Sequence, residues 1–326
     1  MLSFWRCDST ARAREIQDLF LRNDRPGFPS FFLRVYHTLA AEGGASWVAT
    51  DDEGVVVMHV ALFPRSFECE GRTYRVGLLG DLMADVQYRD FWSPLKLFRR
   101  VIADIKREGR FDFLYTDPSP NSVALAKAVG FAPLGELRRY VAPVNAAYLA
   151  LCGVRAGAKK PESRCAGHLN EAADGAFAAL TGTTQLQAQR TPAFYHAHAG
   201  GELAPHAEYV LVGPTGSDDP TAPTAVGMLA ASEGDDTATL LDLRWDESRL
   251  TVQDALHAVA HAARTKGFRK LSCATLDGSR FAQSLSNYGF FSREPIQPIF
   301  VLPLNAADLV PSAPDWMLTS LDGSAW

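Results

Sequence analysis

The second half of the chain repeats the first, and this repeat constrains the fold more than any other feature. Residues 101–109 match residues 259–267 in length and in their closing glycine. In each half a strand-like run, a loop and a short helix follow. Each helix ends at a Gly-Phe pair, which is Gly130-Phe131 in the first half and Gly289-Phe290 in the second. Landmarks that recur in this order predict two units of one fold.

Length and composition agree with two units, which we place at residues 1–150 and 151–326. The chain has 326 residues, of which 47% are hydrophobic and 21% charged, enough apolar residues for two cores. Its formal charge of -5 argues against a nucleic-acid partner. Five scattered cysteines without metal-type spacing and the lack of a long apolar run predict a cytoplasmic protein that neither binds a metal nor enters a membrane.

Hydrophobic periodicity predicts helices and strands in mixed order in the first half. This order is typical of an α/β (α+β) fold, in which a mixed, mostly antiparallel sheet is flanked by helices. The predicted helices are 11–21, 30–42, 94–108 and 121–129, and the predicted strands are 45–50, 55–63, 76–86, 111–116 and 136–143. Residues 146–171 lack a clear period and are interpreted as a connector, and 213–224 as a surface loop.

The strand at 76–86 runs through a polar turn into the helix at 94–108. Such a turn is a potential anion site, because the first N–H groups of a helix have no partner within it. The two copies differ at this turn: 28 positions separate Asp81 from Gly109, whereas 25 separate Asp242 from Gly267. The longer turn predicts that the first copy is the active one.

This series of elements resembles a tandem pair of GCN5-related N-acetyltransferase (GNAT) domains. In that family a turn of pattern Q/R-x-x-G-x-G/A binds the pyrophosphate of acyl-CoA. On this chain the pattern begins at Arg89, but Trp92 and Pro94 stand in place of its glycines. Asn121, the Gly-Phe pair and Tyr140 match other typical GNAT positions. The resemblance implies acetyl-CoA as cosubstrate and acetyl transfer to an amine.

The resemblance also implies site residues. Asp81 is a candidate base and Tyr140 a candidate acid, although Asp81 also suits a structural strand position and Tyr140 a half-buried strand aromatic. Asn121 either contacts the pantetheine or caps its helix. The residues implied to bind the cosubstrate are Leu82, Met83, Ala84, Val86, Gln87, Arg89, Asp90, Phe91, Trp92, Ser93 and Asn121.

Three functions remain open at this point. The first is an acyl-CoA-dependent N-acyltransferase that acts, as a monomer or homodimer, on a small-molecule or protein amine. The second is an aminoacyl transferase of the Fem type, which resembles a tandem GNAT pair but carries a helical insertion not visible here. The third is a degenerate GNAT pair that serves as a binding or scaffold protein. His59 alternates with apolar residues and is interpreted as an interior histidine.

Overall fold

The computed structural model describes residues 2–8, 10–26, 28, 32, 36, 43–157, 162–166, 180, 184–190, 207–213, 223–231, 236–305 and 312–322. The strands are β1 Ser3–Cys7, β2 Ala45–Thr50, β3 Val56–Cys69, β4 Arg72–Ala84, β5 Phe113–Thr116, β6 Ala132–Pro143, β7 Glu162–Ala166, β8 Gln187–Ala188, β9 Glu208–Gly213, β10 Ala225–Ala230, β11 Thr237–Trp245, β12 Lys270–Leu276 and β13 Phe291–Pro303. The helices are α1 Ala13–Arg22, α2 Trp92–Glu108, α3 Val123–Ala128, α4 Ala146–Ala156, α5 Val252–Thr265 and α6 Arg280–Tyr288.

The described strands form one continuous sheet. Its order is β1-β2-β3-β4-β5-β13-β6-β12-β11-β10-β9-β7, with β8 paired to β3. Neighbours are antiparallel except for two parallel pairs, β4 with β5 and β11 with β12. The predicted class, a mixed and mostly antiparallel sheet flanked by helices, is therefore confirmed.

The predicted repeat is also present in the structure. The series β4–α2–β5–α3–β6 recurs as β11–α5–β12–α6–β13, and each series contains one of the two parallel pairs. Helix α2 packs its apolar side on the sheet, with Leu97, Val101 and Ile105 fully buried, as its period of about 3.6 residues predicts. Gly109 ends α2 with a left-handed φ of 63°, a conformation that favours glycine.

The two halves exchange strands at the centre of the sheet. Strand β13, from the second half, lies between β5 and β6 of the first half, with Phe300 opposite Thr116 on one side and Pro133 on the other. Conversely, β6 of the first half lies between β12 and β13, with Leu271 opposite Ala142. Each half therefore contributes the strand that completes the sheet of the other, an arrangement that the sequence pattern did not predict.

The predicted connector at 146–171 is wrong in two places, where the structure has helix α4 and strand β7. The side chain of Asn145 caps the start of α4, where its Oδ1 accepts a hydrogen bond from the backbone N–H of Tyr148 at 2.9 Å. The helix shows no clear polar face, because Leu151 and Val154 are exposed at 64% and 83%. Without alternation between polar and apolar positions, periodicity gives no helical signal.

Two further predictions fall largely outside the described residues, the helix at 30–42 and the loop at 213–224. Phe28, Phe32 and Tyr36 are described as helical, lie four residues apart and are buried. Strand β1 and the C-terminal segment 312–322 were not predicted. Trp316 in that segment is fully buried. None of the described helices is long and apolar enough to cross a membrane.

Candidate functional site

Strand β4 contains a β-bulge at Asp81. In the pairing with β3, Gly80 lies opposite Ala61 and Met83 opposite His59, so Asp81 and Leu82 together face one residue of β3. Asp81 has a left-handed φ of 52°, which aspartate tolerates better than most residues. A bulge of this kind redirects a side chain and ends regular pairing, and bulges are common beside functional sites.

Beyond this point β4 and β5 separate. Their parallel pairing covers Val76–Leu78 of β4, although β4 continues to Ala84. Within residues 43–157, all of which the structure describes, the end of β4 has no strand partner on the β5 side. The Thr116 hydroxyl donates to the Leu79 carbonyl at 2.8 Å, at the start of the gap. Three carbonyls along this end already accept side-chain hydrogen bonds, Leu79 from Thr116, Asp81 from His59 and Ala84 from Arg89. An extended ligand in the gap would therefore pair with the backbone of Leu82 and Met83 between them.

Two buried side chains hold Asp81 in place. The Tyr36 hydroxyl donates to Asp81 Oδ2 at 2.7 Å. His59 Nδ1 lies 3.0 Å from the Asp81 carbonyl, and because a carbonyl accepts, Nδ1 carries the proton. His59 Nε2 then accepts from the Ser46 hydroxyl at 3.0 Å. The prediction that His59 is an interior histidine with satisfied nitrogens is confirmed.

Burial changes the protonation of this group. Burial raises the pKa of Asp81 to about 7, and the nearby charge of Asp117 contributes in the same direction. The Tyr36 hydrogen bond and the charge of Arg25 oppose the increase. Burial also lowers the pKa of His59 to about 4, so its imidazole is neutral at neutral pH. A carboxyl group with a pKa near 7 can both accept and return a proton.

The corresponding residue of the second copy has a different environment. Asp242, like Asp81, lies three residues before the end of its strand. Asp242 Oδ2 pairs with Arg190 Nε at 2.9 Å and with Arg244 Nε at 3.6 Å, and Oδ1 accepts from the Thr319 hydroxyl at 3.1 Å. This buried ion-pair network holds Asp242 as a structural carboxylate.

The predicted anion cradle is occupied by the chain itself. Asp90 Oδ1 accepts from the backbone N–H of Trp92 at 2.7 Å and of Ser93 at 2.8 Å. Pro94 has no N–H, and the N–H of Leu95 donates to the Phe91 carbonyl at 3.3 Å. Hydrogen bonds from Ser93 lower the pKa of Asp90 below its usual value. An ionised carboxylate therefore fills the place in which a phosphate would be bound.

Two other residues predicted to bind the cosubstrate have unexpected environments. The Arg89 guanidinium turns back on the chain, with Nε donating to the Ala84 carbonyl at 2.9 Å and Nη2 to the Asn23 side chain. Asn121 is exposed in a short 3-10 turn. The alternative role of Asn121 as a helix cap is wrong, since the residue before α3 is Ser122.

The remaining predicted residues lie along the end of β4 and the turn. Leu82 and Met83 are half-buried and Ala84 is buried, whereas the turn residue Gln87 is exposed. Three apolar side chains of the turn and helix start are exposed, namely Val86 at 74%, Phe91 at 44% and Trp92 at 65%.

The structure does not bring Tyr140 to Asp81. Three strand spacings of about 4.8 Å, or roughly 14 Å, separate β4 from β6 in the sheet. Tyr140 lies opposite Cys273 of β12, and its hydroxyl donates to Asp277 at 2.8 Å. Burial and, to a smaller extent, the hydrogen bond and negative charge of Asp277 raise the pKa of Tyr140 to about 12. Tyr140 is therefore part of the core of the second half.

Sequence reasoning missed Tyr36, Asp117 and Gln297 as neighbours of the site. Asp117 follows β5 directly, and its side chain accepts a hydrogen bond from Gln297 of β13. Because β4 and β5 are parallel, their ends meet at one edge, and this rule alone places Asp117 near Asp81. No local signal could identify Gln297, because the strand exchange brings it there.

Comparisons with known proteins support the fold alone. No family model and no curated protein sequence matches the chain. Among solved structures, a probable N-acyltransferase from Enterococcus faecalis matches 93% of this chain and 72% of its own, with a TM-score of 0.69 and 8% identity.

Two further solved structures are GCN5-related N-acetyltransferases. The one from Anabaena variabilis has a TM-score of 0.68 at 11% identity and covers 93% of this chain and 73% of its own. The one from Kribbella flavida has a TM-score of 0.64 at 14% identity and covers 93% of this chain and 72% of its own. Identities this low establish a shared architecture, and we conclude that this chain has the fold of the GCN5-related N-acetyltransferases.

Proposed function

We propose that the protein is an N-acyltransferase that moves an acyl group, acetyl in the first instance, from a pantetheine thioester to an amine. The observation that carries the proposal is Asp81, a half-buried carboxyl group with a pKa of about 7 at the mouth of the gap between β4 and β5. The described structure offers no such group in the second copy, where Asp242 is paired with Arg190. The fold of solved N-acetyltransferases gives further support.

The chemistry needs an amine that has lost a proton. In the proposal, the Asp81 carboxylate accepts a proton from the attacking amine, directly or through water, while the Tyr36 hydroxyl fixes the orientation of the carboxylate. The amine nitrogen forms a bond to the thioester carbon, the carbon–sulfur bond breaks, and the thiolate leaves. His59 is excluded as the base, since both of its nitrogens are engaged and its pKa is low.

The parts of acetyl-CoA fit this chain unequally. The pantetheine arm, which is extended and amide-bearing, would lie beside Leu82 and Met83, where β4 continues beyond its pairing with β5. The pyrophosphate does not fit at the start of α2, because Asp90 already accepts the N–H groups of Trp92 and Ser93. The proposal therefore rests on the pantetheine thioester and assigns no step to the rest of CoA.

Replacing the base tests the proposal. With acetyl-pantetheine or acetyl-CoA and a panel of small amines and lysine peptides, Asp81→Asn should lower kcat about a hundredfold, since general-base catalysis is typically worth 10²–10⁴. Thiol release measures the rate. Tyr140→Phe is the matched control and should retain the rate within about threefold, because its hydroxyl serves Asp277. A loss of rate in Tyr140→Phe without one in Asp81→Asn would place the chemistry in the second half instead.

The pH dependence of the rate should follow Asp81. Protonated Asp81 cannot accept a proton, so kcat/KM should fall as pH decreases through about 7, rather than through the range near 4 that is typical of carboxylates. In Asp81→Asn the residual rate should lose this inflection. A wild-type profile that is flat from pH 6 to 8 would contradict the assignment. The absence of thiol release with every donor and amine would favour a binding or scaffold protein.

A further inference from the structure

The turn between β4 and α2 and the start of α2 carry three exposed apolar side chains, which we name the apolar mouth: Val86, Phe91 and Trp92. The rings of Phe91 and Trp92 pack edge to face with centroids 5.4 Å apart. Trp92 is 65% exposed, although tryptophan is normally well covered in a folded protein. Exposed aromatic side chains that lie together are typical of a surface that contacts a partner.

A row of cations continues from the apolar mouth along α2. Lys96 and Arg99 lie four and seven residues beyond Trp92, so they share its side of the helix, and both are exposed. Arg100 is also exposed and pairs with Asp104 at 3.0 Å. This basic row lies on a chain whose net charge is -5. It therefore marks one surface for an acidic partner.

The second copy lacks the basic row. At the repeat positions of Lys96, Arg99 and Arg100 the sequence has Asp254, His257 and Ala258. Asp254 instead completes a capping box with Thr251 at the start of α5. At these positions the second copy buries its side chains, so the exposed basic row is specific to the copy that holds Asp81.

We propose that the acyl donor is an acidic carrier protein that presents the acyl group on a phosphopantetheine arm. This inference rests on the proposed function and specifies its donor. A carrier-bound arm has the pantetheine that suits the gap beside β4 but lacks the pyrophosphate that Asp90 excludes. The carrier would contact the apolar mouth, and its acidic surface would face Lys96 and Arg99.

The transfer balances without a further reactant. The amine nitrogen bonds to the acyl carbon, the bond from that carbon to the pantetheine sulfur breaks, and the amide is released. Asp81 takes the amine proton and passes it to solvent, and the thiolate on the carrier is protonated from solvent. The products are the N-acyl amine and the carrier with a free thiol.

Binding measurements with three donors test the inference. The probes are acetyl-CoA, acetyl-pantetheine, and an acidic bacterial acyl carrier protein loaded with a stable amide analogue of acetyl-pantetheine. By calorimetry with the full chain, acetyl-CoA should bind within about twofold of acetyl-pantetheine, and the loaded carrier at least about tenfold more tightly than either. Raising the salt concentration from 50 to 300 mM should weaken carrier binding alone.

Charge-reversal variants locate the surface. The double variant Lys96→Glu/Arg99→Glu should weaken carrier binding about tenfold and leave acetyl-pantetheine binding unchanged. Arg264→Glu, an exposed position on α5, is the matched control and should change neither. In addition, Asp90→Ala frees the N–H groups of Trp92 and Ser93 and should strengthen acetyl-CoA binding relative to acetyl-pantetheine.

Two results would overturn the inference. One is acetyl-CoA binding more than about tenfold tighter than acetyl-pantetheine in the wild type and weakened by the double variant, which would mean that the basic row binds CoA phosphates. The other is a loaded carrier that binds no better than acetyl-pantetheine. Either result leaves the proposed function intact, whereas the absence of binding by all three donors would refute the proposed function itself.

Discussion

Residues 1–145, produced without the rest of the chain, are expected to form no stable monomer. The fragment lacks β13, whose backbone pairs with β5 on one side and with β6 on the other. Because the fragment also lacks β12, three strand edges would be left open, one on β5 and both on β6, and open edges promote aggregation. Size-exclusion chromatography and urea unfolding followed by circular dichroism measure the outcome.

Co-expression with residues 146–326 provides the control. The second fragment supplies β13 and receives β6 beside β12, so the two fragments together should recover a folded complex of one copy each. A first fragment that unfolds cooperatively as a monomer would contradict this expectation. That result would support the predicted division near residue 150 as a boundary between independent domains.

Trp316→Ala should cost about 3–5 kcal/mol of the free energy of unfolding, the usual range for deleting a large aromatic side chain from a core. Trp316 is fully buried, with ring centroids 5.4 Å from Phe113, 5.7 Å from Phe67 and 6.1 Å from Tyr115. The segment around it also reaches the second half, where the Thr275 hydroxyl donates to the Leu318 carbonyl at 2.7 Å. The indole therefore packs among aromatic side chains of the first half, while the segment that carries it also bonds to the second half.

Trp92→Ala is the matched control for this loss. Its side chain is 65% exposed, so the free energy of unfolding should change by less than about 0.5 kcal/mol. Denaturant unfolding of the two variants beside the wild type measures both values. Equal destabilisation by the two substitutions, or none by Trp316→Ala, would show that the C-terminal segment does not contribute to the core as described.

The local elements were largely predictable because their signals are local. Strand β2 has the predicted bounds, Ala45–Thr50, and α2 begins two residues before the predicted start at 94. The hairpin turn between β3 and β4 lies at Glu70-Gly71, with both residues at positive φ. Helix α4 was missed because its outward side is apolar as well, which removes the periodicity on which such predictions depend.

The candidate site was only half predictable, for a similar reason. Asp81, in the predicted strand at 76–86, was a candidate because the family resemblance implies a base there. Its pKa and its contrast with Asp242 depend on partners that are distant in sequence, Tyr36 in one case and Arg190 in the other. Asp90, predicted to help bind an anion, instead bonds to the helix start itself, because its side chain reaches the N–H groups of Trp92 and Ser93.

By itself the sequence determined most helices and strands of the first half, the repeat and the longer turn in the first copy, because these follow from periodicity and chain length. Only the tertiary structure decided which strands pair, since β6 and β13 have patterns that suit either half. It also decided that Tyr140 belongs to the second core and Asp81 to an open gap. Burial and the charges of residues distant in sequence set the pKa of a carboxyl group, and the residues next to it in the sequence do not reveal either.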